Sequence, residues 1–265
     1  MLPLISCLCA TKNRRRFIPR SIEMFKRQDY AGPAEMVIIE DGDDCVEDLV
    51  PSVHYEPVVV THSKEKPNSI MYPRTVRYCR VDGSVGKKYN TVVQTLDSEL
   101  CCLWDDDDWG ATSRLSLQYQ HLQISGAQLV ALSSSLYYQE GDDFAHEYFA
   151  PPNYASGFSH CFYRDWILAH PHEDLTLGED MRAIEEAVKH HAVSFIAGMD
   201  CMVACDHDSN CSPRPWNDTN PLVQAFNMAL TPNWKIVPFS RVSAIVSPYL
   251  LERSGSQESV AVSCG

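Results

Sequence analysis

The apolar positions of the chain fall into short solid runs separated by amphipathic stretches, the pattern of buried strands alternating with helices. Residues 3–11 are apolar and rich in small side chains and predict a buried strand. It runs into a basic turn, Lys12-Asn13-Arg14-Arg15-Arg16, after which Pro19 and Ser21 mark a helix start with Ile22 and Phe25 on one face. Residues 36–39 predict a second strand ending in Glu40-Asp41-Gly42-Asp43-Asp44, and 58–61 a third. Residues 64–72 read as loop. A short strand at 78–81 leads through a polar turn to a helix over 89–96, with Val93 and Leu96 inward. A strand at 100–104 follows, then an amphipathic helix capped near Thr112 or Ser113, with Leu115, Tyr119 and Leu122 at helical spacing.

Strands alternating with helices, each strand ending in a polar turn, predict a doubly wound α/β sheet that binds ligands at its carboxyl edge. The polar clusters at 11–14, 40–44 and 105–108 all fall on that edge. The second half has a different texture. It predicts a long strand over 129–139, an acidic and aromatic loop over 141–152, strand or helix over 158–166, and a helix over 177–191 with Met181, Ile184 and Val188 inward. A strand over 194–204 and a helix near 222–230 complete it, and the small polar residues after 254 predict a disordered tail. Residues 1–110 thus read as one half of a domain, 111–253 as its second half, and 254–265 as tail.

The stretch that draws chemistry is Trp104-Asp105-Asp106-Asp107-Asp108-Trp109. Adjacent anions at the end of a buried strand are costly unless something positive sits among them. Oxygen ligands from alternating aspartates suit Mg²⁺ or Mn²⁺; the alternative is a solvated acidic turn. A calcium loop of the helix–loop–helix type starting at Asp105 fails, because Trp109 replaces an oxygen ligand and Ser116 the closing Glu.

Composition narrows the classes. Apolar residues at 45% and charged residues at 22% are ordinary for a globular protein. A formal net charge of -13 argues against broad binding to nucleic acid or anionic membrane, although a local basic groove is compatible with it. No run is long enough to span a membrane, and residues 2–10 lack the basic flank of a signal peptide. Eleven scattered cysteines without a CxxC pair read as reduced thiols of a cytoplasmic protein. Cys201, Cys205, His207 and Cys211 can be drawn as a zinc knuckle, but their spacing matches no common zinc pattern.

In order, these motifs resemble the family 2 glycosyltransferases of the GT-A fold. Thr11-Lys12-Asn13-Arg14 resembles the family's nucleotide turn, and Val37-Ile38-Ile39-Glu40-Asp41-Gly42 its second-strand end. Gly86-Lys87-Lys88-Tyr89-Asn90, then Trp104 to Trp109 with Arg114-Leu115 and Gln118, resembles its Gly-x-Lys-Arg-Asn to Trp-Asp-Asp-Asp-Asp-Trp block. Gly178-Glu179-Asp180 resembles its Glu-Asp at a helix start, and His207 to Asn210 with Ser212 its late His-x-x-Asn-x-Ser. Glu40 stands where Asp is usual, and Tyr89 where a basic residue is usual, so that Lys87 or Lys88 would take the diphosphate contact.

The resemblance implies transfer of a sugar from a nucleotide diphosphate sugar to a hydroxyl. It implies Asp107 as direct metal ligand and His207 as an imidazole ligand suited to Mn²⁺. Asp105 would meet the ribose or a metal-bound water, Asp106 the base or ribose, and Asp108 would brace the loop or face metal-bound water. Thr11 and Asn13 would contact base and ribose, and Arg14 the diphosphate. Asp41 would accept from N3–H of a uracil-like base, with Glu40 beside it and Asn90 also on the donor, and Trp109 would pack near the sugar. Asp180 would be the general base, with Glu179 raising its pKa or bonding to the acceptor. The bland alternative for that pair is attraction to a helix N-terminus. Trp166 reads as core.

Other readings stay open. A nucleotidyltransferase also holds a metal and a nucleotide on an α/β sheet, but residues 10–16 lack the glycines of a phosphate loop. A glycosidase leaves the 11–14 turn unexplained, and a non-catalytic nucleotide-sugar-binding module would not turn over its ligand. The acceptor can be a glycan, a lipid-linked group, a protein or a hydroxymethylated base in DNA.

Overall fold

The computed structural model describes residues 2–50, 59–60, 69–70, 74–139, 141–196, 201–207, 210 and 234–250. Its centre is a seven-stranded mixed sheet. Four parallel strands supply the N-terminal half: β1 (Ile5–Thr11), β2 (Ala34–Glu40), β5 (Arg74–Arg80) and β6 (Leu100–Leu103). β11 (Cys161–Tyr163) runs antiparallel between β6 and β8 (Leu129–Leu132), and β12 (Val193–Ile196) lies parallel to β8 at the edge. Both faces of the central strands β1, β2, β6 and β8 are buried, which is why these read as apolar runs. Ile5, Cys7 and Cys9 face one core with Met36 and Ile38, beneath α1 (Ile18–Lys26) and α3 (Arg114–Ser125). Leu8, Val37, Ile39 and Leu103 face the other, beneath α2 (Val85–Val93), α4 (Arg164–Ala169) and α5 (Met181–Lys189).

The second half corrects several expectations. The run 129–139 is two strands, β8 and β9 (Ser134–Gln139), broken at Ser133, and they belong to different sheets. The run 194–204 divides likewise into β12 and β13 (Met202–Asp206). β8 pairs with β12 and β9 with β13, both parallel, so the two chains leave the large sheet together and enter a smaller one. The first crossing falls at Ser133-Ser134-Ser135, small residues that a strand accommodates, so the sequence reads as one strand. The expected loop at 141–152 holds β10 (Phe144–Phe149), antiparallel to β9; its Glu147 is buried and bonded to Arg241 at 3.0 Å. β14 (Trp234–Pro238) and the helix α6 (Ser240–Leu250), not anticipated, close this layer.

Helix α2 starts four residues earlier than expected, because the Ser84 hydroxyl caps it by accepting from Lys87 N at 3.1 Å. Helix α5 begins only at Met181, and its buried face is Ala183, Ile184 and Ala187. The strand expected at 58–61 is the two-residue β3 (Val59–Val60), paired only with β4 (Ser69–Ile70) inside the expected loop. The helix near 222–230 and the tail after 254 lie outside the described residues. Among the described residues no helix is long and apolar enough to cross a membrane.

Candidate active site

Three strand ends build the site. β1 pairs with β2 and β6 in parallel, with Thr11 opposite Glu40 and Leu8 opposite Leu103, so the clusters after each strand meet at one edge. Thr11 Oγ1 donates to Asp106 Oδ2 at 2.7 Å. Arg14 Nη1 donates to Asp106 Oδ1 at 3.0 Å and to Asp107 Oδ2 at 2.7 Å. Asn13, in the left-handed region at φ 55, accepts from the backbone of Asp43 and Asp44 at 2.8 and 3.2 Å and so ties the first turn to the second.

The short strand β7 (Trp109–Gly110) then turns the acidic run toward the small sheet, pairing with Met202 and Val203 of β13. This register lets Asp108 Oδ1 accept from Cys205 N at 3.0 Å. Just past the end of β13, His207 Nε2 lies 2.9 Å from Asp107 Oδ2. Asn210 fixes that histidine, accepting from His207 N at 2.7 Å and donating to Cys205 O at 2.8 Å. The Phe17 ring packs against the imidazole at 4.6 Å.

The electrostatics are those of anions short of positive charge. Burial, then Asp107 and Asp106, push Asp105 up to about 8; it keeps part of its surface toward solvent but is ringed by protein. Burial and Asp107 push Asp106 to about 6, and burial with Asp107 and Asp105 holds Asp108 far above the carboxylate range. Asp107 goes the other way. Burial raises it, but the His207 hydrogen bond and the charges of Arg14 and His207 outweigh that and hold it low. Oxygens of Asp105, Asp107 and Asp108 lie within 4.8 Å of one another. A hard divalent cation fits this set by ligand type, spacing and the charge it would neutralise.

Several predicted contacts are occupied within the protein. Lys88 is not free for a diphosphate: its ammonium is buried, donating to Asp41 Oδ1 at 2.5 Å and to Thr11 O at 3.1 Å. Asp41 also receives Lys12 at 3.2 Å. Burial raises the Asp41 carboxyl, but the two lysines prevail and hold it low. Glu40 is fully buried and turned toward Tyr78, whose hydroxyl donates at 2.9 Å, and toward Val46 N at 3.3 Å. Its extra methylene over Asp lets it hold the 41–46 loop. Asn90 clamps the backbone of His172, donating to its carbonyl at 2.8 Å and accepting from its N–H at 3.0 Å. Trp109 is core, 4% exposed, with the Arg20 guanidinium 4.7 Å above its ring; contact with a sugar would pass through Arg20. Trp166 is half-buried, packs against the second core and stacks on His170 at 4.1 Å.

Glu179 and Asp180 precede α5. Asp180 is buried without capping the helix through its side chain, so helix attraction alone does not place it. Its carboxylate lies on Gly157, where a Cβ would come within 2.6 Å of Oδ2. Burial raises Asp180, opposed by its backbone hydrogen bond and by His172. Burial and then the charge of Asp180 push Glu179 to about 7. The repulsion thus falls on Glu179, the reverse of the expected direction. Glu179 adds a smaller upward push to Asp105, after burial and the neighbouring aspartates, and to Tyr89, after burial and Asp105.

Sequence reasoning missed Lys12, Arg20, Gly157 and His172. Arg20 follows Phe17 by one helical step, which could have placed it; the others carry no local signal. The zinc knuckle finds no support: Cys205 is buried in β13 and Cys201 is buried just before it, while Cys211 lies outside the described residues. The nine described cysteines are free thiols.

No protein-family model matches the chain, and no curated protein matches it. Solved structures do. Residues 1–349 of S. aureus TarS in complex with UDP-GlcNAc align at a TM-score of 0.58 with 12% identity, over 92% of this chain and 70% of that one. The same protein in complex with UDP aligns at 0.55 with 13% identity, over 76% of this chain. In that alignment the chain spans 60% of the other's length. The architecture is that of the GT-A glycosyltransferases, as the ordered motifs imply.

Proposed function

We propose that the chain is a metal-dependent glycosyltransferase that moves a hexosyl or pentosyl group from a UDP-linked sugar to an acceptor hydroxyl with inversion. The observation that carries this reading is the aspartate cluster at the carboxyl edge of the sheet, where oxygens of Asp105, Asp107 and Asp108 lie within 4.8 Å of one another beside Arg14. A second acidic pair, Glu179 and the buried Asp180, stands at the start of α5. The fold is shared with structures that hold UDP and UDP-GlcNAc.

The roles follow from the contacts. A divalent cation, Mn²⁺ or Mg²⁺, held by Asp105, Asp107 and Asp108, with His207 turning from Asp107 to join them, would supply Lewis-acid stabilisation of the departing diphosphate. Arg14 turns from Asp106 and Asp107 to the diphosphate oxygens as these arrive. Thr11, Asn13 and Asp106 shape the base and ribose side, and Asp41 accepts from the base N3–H while its lysines keep it ionised. Asp180 takes the proton of the acceptor hydroxyl as that oxygen attacks the anomeric carbon. Positioned proton transfer of this kind contributes on the order of 10²–10⁴ in rate. Glu179, protonated near neutrality, donates a hydrogen bond to the acceptor. Residues 1–110 serve the donor and 111–253 the acceptor. Free thiols suit a cytoplasmic setting.

The test is release of UDP from a panel of UDP-sugars with added glycan, lipid-linked, protein and DNA acceptors. Wild type turns over at least one donor, and Asp180→Asn binds that donor but loses transfer. Transfer retained by Asp180→Asn removes Asp180 as base. Nucleotidyl transfer instead of UDP release replaces the reading altogether.

A further inference from the structure

We infer that Asn90 is a positioning residue that holds the Asp180 loop in register with the donor side; this rests on the reading of Asp180 as the base. Helix α2 presents two working faces. On one, Lys88 reaches inward to Asp41 and to the Thr11 carbonyl, both parts of the donor side. On the other, residues 86, 89 and 90 meet the segment that leads into α5. Asn90 bonds both backbone groups of His172, and the Tyr89 ring lies 5.5 Å from the imidazole. Gly86 N donates to Leu175 O at 2.9 Å, and a Cβ at Gly86 would come within 1.8 Å of the Glu173 carbonyl. Ser84 Oγ adds a bond to the Asp174 carboxylate.

The segment is closed at its far end as well, since Glu173 N donates to Glu179 O at 3.0 Å. A loop pinned at 172, 175 and 179 has little freedom, so the clamp on His172 fixes where Glu179 and Asp180 enter α5. The amide is needed for this. Only a side chain with a donor and an acceptor side by side can satisfy an N–H and a C=O of one residue together. His172 is itself neutral, because burial and then His160 lower its pKa to about 4, and it gives the segment an apolar root between Tyr89 and Phe162. One helix therefore carries the contact to the donor pocket and the frame of the base. Displacing a reacting group by about 1 Å can cost about 10²-fold in rate.

The experiment compares Asn90→Ala and Asn90→Asp with wild type in backbone hydrogen exchange, UDP binding with Mn²⁺, and steady-state transfer. Positioning predicts at least tenfold faster exchange across 172–181, with amides of 34–46 unchanged. UDP affinity stays within twofold, and kcat falls by about 10² with little change in donor KM. The Asp variant keeps the acceptor for His172 N–H but sets a second acceptor against the His172 carbonyl, so it breaks the clamp without opening a cavity and covers the case in which the Ala variant does not fold. Unchanged exchange across 172–181, or faster exchange with wild-type kcat, overturns the inference. Weakened UDP binding at unchanged kcat returns Asn90 to the donor. If wild type transfers no sugar, the proposed function fails, and the exchange data alone decide whether Asn90 holds the loop.

Discussion

His207 lies 2.9 Å from Asp107 although a hundred residues separate them, and this contact brings the end of β13 in the small sheet onto the acidic edge of the large one. Both side chains are nearly out of water, at 9% and 7% exposure. Asp107 receives Arg14 on the same oxygen, so a cation binding there competes with two groups that already bond to the carboxylate.

Arg14→Gln should therefore change two affinities in opposite directions. Mn²⁺ alone should bind more tightly, because a competitor for Asp107 is gone, while UDP in the presence of Mn²⁺ should bind about tenfold more weakly, the scale of one charge-assisted hydrogen bond. Electron paramagnetic resonance of free Mn²⁺ reads the first and calorimetry the second. Both affinities falling together would mean that Arg14 only holds the loop.

Lys88 and Asp41 form an ion pair with side chains 3% and 5% exposed, whereas Lys12, on the same carboxylate, is 63% exposed. Removing one partner of a buried pair strands the other, at a cost of about 3–5 kcal/mol. An exposed partner is worth about 0–1 kcal/mol. Urea denaturation should place Lys88→Met far below wild type and Lys12→Ala close to it. Because Asp41 is held low in the folded state, its contribution is present above the unfolded carboxylate pKa and is lost as pH falls through the folded one. Equal losses in the two variants would refute the assignment.

Glu179 gives the opposite pH dependence. Its carboxyl is pushed from 4.5 to about 7, so between those values the folded state binds more protons than the unfolded one. Stability therefore falls as pH rises through that window. Glu179→Gln should flatten the melting temperature between pH 5 and 8, roughly the span of the shift, and should match or exceed wild type at its upper end. A variant with the wild-type slope would show that the carboxyl titrates normally.

Gly157→Ala places a methyl group where the Asp180 carboxylate rests. Transfer should drop by about 10²-fold while UDP affinity holds, as expected when a base is displaced by about 1 Å. Steady-state kinetics with donor titration separates the two. Full activity would mean that the carboxylate works from another position.

The donor-side half was legible because parallel strands buried on both faces leave solid apolar runs, each ending in a polar cluster. Thr11, Asn13, Arg14, Asp41 and Asp105 to Asp108 stand on those ends and were found. The second half hid its architecture, since the strands over 129–139 and 193–206 change sheets with no proline or long polar turn to mark the break. β10 was hidden by its inward Glu147, whose partner Arg241 lies 94 residues away. The site was legible in residue type but not in partner. Lys88, Glu40 and Asn90 were assigned to a ligand, yet each meets protein groups across 38 to 82 residues of chain.

Calorimetric titration of UDP in Mn²⁺ and again in chelator tests the central claim most directly. The account predicts UDP affinity that depends on Mn²⁺ and falls at least a hundredfold in Asp107→Asn, with Lys12→Ala close to wild type; each hundredfold corresponds to about 2.7 kcal/mol. UDP binding of equal strength with and without the metal, or unaltered by Asp107→Asn, would contradict it.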